Sequence, residues 1–61
     1  MTHLLIVAHG SRRAASNQEI HQLTERLAAQ TSDFASIRCA FLELAEPSIP
    51  DGLRRLIADG A

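Results

Sequence analysis

The stretch Leu4-Leu5-Ile6-Val7-Ala8-His9-Gly10-Ser11-Arg12 constrains this chain more than any other. Five apolar residues end abruptly in an imidazole, a glycine, a hydroxyl and a guanidinium. A run this short, bounded by a glycine break, predicts a β-strand buried on both faces. Such strands belong mainly to parallel sheets covered by helices. In an open α/β sheet, ligands bind beyond the carboxyl ends of the strands. His9 stands there, and the site hypothesis starts from it.

The strand is expected over Met1 to Ala8, with His3 at its start as an edge imidazole without a chemical role. His9 to Ala15 forms a loop in which Gly10 lets the backbone turn sharply or approach a ligand closely. Ser16-Asn17-Gln18-Glu19 fits a capping box, so a helix is expected from Asn17. Ile20, Leu23, Leu27 and Ala28 give it a narrow apolar stripe, and Thr31-Ser32-Asp33 breaks the pattern. His21 on this helix reads as solvated or flanking. A second strand is expected over Ser36 to Leu42, with Ile37, Cys39 and Phe41 on one face and Arg38, Ala40 and Leu42 on the other. Cys39 reads as a small buried hydrophobe.

Glu43 to Pro50 forms a second loop at the same carboxyl edge. Pro47 holds Glu46 extended, and Ser48 followed by Asp51 is a second helix cap, with Pro50 in the first turn. A short helix is expected from Ile49 to about Asp59, with Leu53, Leu56 and Ile57 inward and Gly60 as its stop. The order is β-α-β-α with parallel strands, an α/β arrangement. Both loops then open on one rim, bringing together His9 and the carboxylates of Glu43 and Glu46.

Composition narrows the function. Six arginines, no lysine and seven acidic residues leave the chain near neutral, and its two aromatic residues are phenylalanines. Without a basic stripe there is no signature of nucleic-acid binding. No apolar run approaches the roughly 18–20 residues that span a bilayer. Cys39 is the single cysteine, so no internal disulfide is available, and a cytoplasmic setting is expected. Sixty-one residues bury little surface. A partner subunit or a further half is therefore expected.

An imidazole beside a carboxylate can hold a divalent transition metal, or accept a proton near neutral pH. Two or three ligands with open positions suit delivery of a metal better than permanent structural binding. Arg12 and Arg13 add guanidinium donors suited to carboxylates or phosphates. Ser11 has no base placed for it in sequence and is a poor nucleophile candidate.

Ile6-Val7-Ala8-His9-Gly10-Ser11-Arg12, Ser16-Asn17, Ala40-Phe41-Leu42-Glu43 and Glu46-Pro47-Ser48-Ile49-Pro50 together resemble the small sirohydrochlorin cobalt- or ferrochelatases. The likeness runs through essentially the whole chain with the expected spacing, and the second loop makes it specific. It implies the class II chelatase fold. It also implies a lyase that inserts Co²⁺ or Fe²⁺ (Ni²⁺ being a further substrate metal) into a sirohydrochlorin-type tetrapyrrole without ATP or an organic cofactor, for cobalamin or sirohaem. On this resemblance His9 is metal ligand and proton acceptor, Glu46 a substrate contact, and Glu43 a neighbour sharing that role. Arg12 or Arg13 beside them suits the substrate's carboxylates.

Members of that family continue past a pair like Gly60-Ala61 into a third strand, a proline-containing loop and a second metal-binding histidine. The 61 residues are thus expected to form one partial chelatase-like domain, an N-terminal half completed by homo-oligomerisation or by a C-terminal half. The alternative is a non-catalytic metal- or tetrapyrrole-binding half-domain acting through dimerisation. A weaker third reading has His9 as a phosphoryl-transfer nucleophile with Arg12 as phosphate clamp.

Overall fold

Among the described residues two short strands and two helices alternate: β1 (His3–Ala8), α1 (Ala14–Gln30), β2 (Ser36–Phe41) and α2 (Ile49–Ala58). The computed structural model describes residues 2–61, so Met1, where the first strand was expected to begin, lies outside the described residues. The strands pair in parallel in a register running from His3↔Ser36 to Ala8↔Phe41. Parallel neighbours need a long crossover, and α1 supplies it. The β-α-β-α order and the parallel pairing agree with the sequence expectation.

Alternation along the strands puts Leu4, Ile6, Ala8, Ile37, Cys39 and Phe41 on one face of the sheet, and Leu5, Val7, Arg38 and Ala40 on the other. α1 lies on the first face. Its His21 ring is tilted 52° against Phe41 at a centroid distance of 5.5 Å, and its Nδ1 lies 3.4 Å from the Cys39 thiol. α2 lies on the second face. There Gly52 packs so closely that a Cβ would stand 2.9 Å from Ala40 Cβ and 3.2 Å from Leu5 Cδ1. The result is three layers, helix, sheet, helix, an arrangement that buries both sides of a sheet.

Among the described residues the buried core is Cys39, Ala40, Phe41 and Leu56, with Phe41 only 1% exposed. Three of them, Cys39, Ala40 and Phe41, form the carboxyl half of β2, directly under the rim, and Leu56 lies on α2. β1 was expected to be buried on both faces, and it is not. Its residues are half-buried and Val7 is exposed. Both helices pack chiefly against β2, with α2 reaching β1 less extensively. A sheet two strands wide offers β1 no cover beyond its outer edge.

Several further expectations are corrected. α1 starts at Ala14 with Arg13 as its cap position, and no side chain caps it. The Ser16–Glu19 capping box does not form, because the Ser16 amide donates to the Arg13 carbonyl at 3.1 Å. Asn17 instead brackets Ser11, accepting from its amide at 2.9 Å and donating to its carbonyl at 2.7 Å. That reciprocal pair feeds the chain into the helix three residues early.

The buried stripe of α1 is also turned. Leu23 and Ala28 are exposed, and Thr24 is buried with its hydroxyl donating to the Ile20 carbonyl at 2.8 Å. His21, expected to be solvated or flanking, is half-buried against Phe41 and Cys39. On α2, Leu56 and Gly52 are buried while Leu53 and Ile57 are exposed. A narrow sheet accepts only a narrow strip of each helix, and the close approach at Gly52 chooses that strip.

The ends of α2 follow the sequence. The Ser48 hydroxyl accepts from the Asp51 amide at 3.3 Å, with Pro50 in the first turn. At the other end Gly60 has φ +108°, its amide donates to Ile57, and the Ala61 amide donates to Leu56, both at 3.0 Å. This is a Schellman stop, which satisfies the last carbonyls. β2 ends at Phe41, one residue short of expectation, although the Leu42 amide still donates to Ala8 at 3.0 Å.

Candidate functional site

His9 is the first residue beyond β1, and Glu43 comes two residues beyond β2. The two strand ends are tied together. The Leu42 amide donates to the Ala8 carbonyl, and the Glu43 amide donates to the His9 carbonyl at 3.2 Å. Gly10 makes this possible. With φ +96° it sits so close to Glu43 that a Cβ would fall 1.7 Å from the Glu43 carbonyl oxygen. The close approach expected of Gly10 is therefore to the neighbouring loop's backbone.

Clasped this way, the His9 Nδ1 lies 3.9 Å from Glu43 Oε1, with the side chains 79% and 59% exposed. That separation is too long for a hydrogen bond, and an exposed ion pair of this kind adds about 0–1 kcal/mol. The pair contributes little to the fold. It leaves a basic nitrogen and a carboxylate oxygen side by side, open to solvent and available to a ligand.

Glu46 is also exposed, but it is not within ion-pair distance of His9. From Glu43 the loop crosses the end of β2 to its far edge. There the Phe41 amide donates to the Pro47 carbonyl at 2.8 Å, and Phe41 bridges Ser48. Pro47 is buried and the Glu46–Pro47 peptide is cis. Both carboxylates thus stand on the rim, and Glu43 is the one beside the imidazole. Between them, Leu44 has φ +64° and a relative exposure of 56%, while Leu42 is 59% exposed. A left-handed conformation costs a residue with a Cβ roughly 1–3 kcal/mol.

Arg12 and Arg13 are exposed at the same rim, and among the described residues no carboxylate lies within ion-pair distance of either. The Ser11 hydroxyl accepts from the Arg13 amide at 3.1 Å and meets no base among the described residues, which makes it a turn residue. His3 donates to or accepts from the Ser36 hydroxyl at 2.7 Å at the opposite end of the sheet. Among the described residues no three His, Cys, Asp or Glu side chains converge closely enough to hold a metal ion. His9 and Glu43 supply two donors.

A cleft of about 140 Å³ lies along the free edge of β2, lined among others by His21, Glu25, Cys39, Pro47 and Arg55. Sequence reading did not foresee it, because the thiol and the imidazole meet only when α1 crosses the sheet. No helix among the described residues is long and apolar enough to cross a membrane.

The comparisons with known proteins bear on this rim. The chain is 28% identical over 60 residues to a sirohydrochlorin cobaltochelatase of Methanopyrus kandleri, an alignment covering 98% of the chain and 41% of that protein. It is 36% identical over 58 residues to the chloroplastic sirohydrochlorin ferrochelatase of Arabidopsis thaliana, covering 95% of the chain and 25% of that protein. The chain thus spans less than half the length of each of these relatives. Residues 3–61 match the CbiX family, a span that takes in both strands, both helices and the whole His9–Glu43 rim. With that match running from the start of β1 to the last residue, the chain belongs to the CbiX family.

Proposed function

We propose that this chain carries the metal- and proton-handling rim of a sirohydrochlorin chelatase, which inserts Co²⁺ or Fe²⁺ into the tetrapyrrole without ATP. The observation that carries the reading is the His9–Glu43 pair, 3.9 Å apart and solvent-exposed at the carboxyl edge of a parallel sheet. Membership of the CbiX family and the likeness to a sirohydrochlorin cobaltochelatase and a sirohydrochlorin ferrochelatase support it.

Insertion exchanges one divalent ion for two pyrrole N–H protons, so a base and a metal donor must face the same side of the ring. His9 does both jobs at different moments. Its neutral ring nitrogen donates to the incoming ion, and once the ion has moved into the macrocycle the nitrogen takes up one of the two protons, the other passing to solvent water at this open rim. Glu43, 3.9 Å from His9, offers a carboxylate oxygen to the same ion. Two donors leave the remaining coordination positions open, which lets the ion leave. Arg12 pairs with peripheral carboxylates of the substrate, and Glu46 contacts it further along the rim.

Replacing His9 by Ala should lower the rate of Co²⁺ insertion, followed by the absorbance of the macrocycle, by about 10²-fold or more. Turnover equal to wild type would remove His9 from the mechanism. The second reading is a non-catalytic half-domain that binds metal or tetrapyrrole and acts as a dimer. The limit of two donors and the exposed Val7, Leu53 and Ile57 favour it. Titrating the chain with Co²⁺ and sirohydrochlorin separates the two, since binding without accelerated insertion selects the second.

A further inference from the structure

We propose that Leu44, with Leu42 beside it, forms an apolar bed on which one face of a flat, carboxylate-bearing macrocycle rests next to the His9–Glu43 pair. The inference builds on the chelatase reading and adds the surface that would hold the ring.

Leu44 is unfavourable twice over. Its φ of +64° lies in the left-handed region, where glycine, asparagine and aspartate are the usual occupants. Its side chain is 56% exposed, so no burial within the fold compensates for that backbone. Among the described residues it is the one non-glycine residue with positive φ. Other exposed leucines, such as Leu23 and Leu53, sit in ordinary helix and carry no such conformational penalty. A strained residue at a rim that carries chemistry points to a role outside folding.

Position selects the occupant. Leu42 follows the buried Phe41 directly, and its amide is bonded to Ala8 at the end of β1. Leu44 follows Glu43, whose carboxylate faces the His9 ring. The two leucines therefore flank the residue that meets the imidazole. A bare metal ion has no use for leucine side chains, and a phosphate has none either. A planar ring with apolar faces and an acidic periphery uses both the leucines and the guanidinium groups of Arg12 and Arg13, which have no carboxylate partner among the described residues. Charge and apolar surface together match that one class of ligand.

The test titrates sirohydrochlorin into wild type, Leu44→Asn and Leu44→Met, by quenching of the macrocycle's fluorescence, with thermal unfolding of each followed by circular dichroism. Asparagine takes the left-handed conformation more readily than leucine. Leu44→Asn should therefore unfold no earlier than wild type and yet bind the tetrapyrrole about tenfold or more weakly, the loss expected from one buried leucine. Leu44→Met keeps an apolar side chain and should bind like wild type. Should the asparagine variant fail to fold, Leu44→Gly replaces it, since glycine accepts the same φ.

Co²⁺ binding in the absence of tetrapyrrole should be unchanged in all of them. Equal tetrapyrrole affinity in wild type and Leu44→Asn overturns this inference alone. So does a methionine variant as weak as the asparagine one. No tetrapyrrole binding by wild type overturns it together with the chelatase reading.

Discussion

Gly10 shows at the scale of one residue how a single missing methyl group can shape a site. Its φ of +96° and the 1.7 Å approach that a Cβ would make to a main-chain oxygen leave no room for alanine. Gly10→Ala should destabilise the fold by about 2 kcal/mol or more, read as a lowered urea midpoint. It should also separate His9 from Glu43, because the obstacle is backbone and cannot rotate away. A midpoint equal to wild type would show that the clasp between the two strand ends is not tight. His9 was legible as a candidate because an apolar run ending in a histidine is a local pattern. Which carboxylate would meet it was not. Spacing puts both Glu43 and Glu46 on the rim, and the path of the loop from His9's carbonyl to Pro47 on the far edge brings Glu43 to the imidazole.

At the scale of elements, α2 was readable at both ends because its caps are chemistry among neighbours: Ser48 with Asp51, and Gly60 with the final carbonyls. The start of α1 misled for the converse reason. Ser16 and Glu19 have the right spacing for a capping box, but Asn17 commits its amide to Ser11 and the helix begins earlier. What fastens α2 to β2 is a contact sequence could not show. Arg38 donates from Nε and a terminal guanidinium nitrogen to the two Asp59 oxygens at 2.5 and 2.8 Å. These hydrogen bonds hold the Asp59 carboxyl below its ordinary range, with smaller help from Ser36 and His3. A carboxyl whose pKa is lower folded than unfolded stabilises the fold above its unfolded pKa, about 4, and loses that stabilisation as pH falls through the lowered value. Wild type should therefore exceed Asp59→Asn in urea midpoint at neutral pH, and the gap should close in acid. A gap that persists unchanged at low pH would sink the clamp.

Among the described residues the buried core is Cys39, Ala40, Phe41 and Leu56, and Phe41 is the largest of them. It touches His21 on one helix and, through its backbone, anchors the Pro47 loop. Phe41→Ala should cost about 3–5 kcal/mol, as much as a core this size supplies in total. Loss of a cooperative thermal transition by circular dichroism is the expected result, and a transition retained near the wild-type midpoint would mean that the stability lies elsewhere. The amino-acid sequence by itself determined the order of elements, the parallel sheet, the caps of α2 and the station of His9 at a strand end. Periodicity, turn residues and caps act within a few residues, so they can be read along the chain. Only the tertiary structure decided which helix faces are buried, that β1 stays half-covered, that Glu43 is the carboxylate beside His9, and that Leu44 is held left-handed at the rim. Those outcomes depend on the width of a two-stranded sheet and on how one loop crosses its end, contacts between residues far apart in the chain.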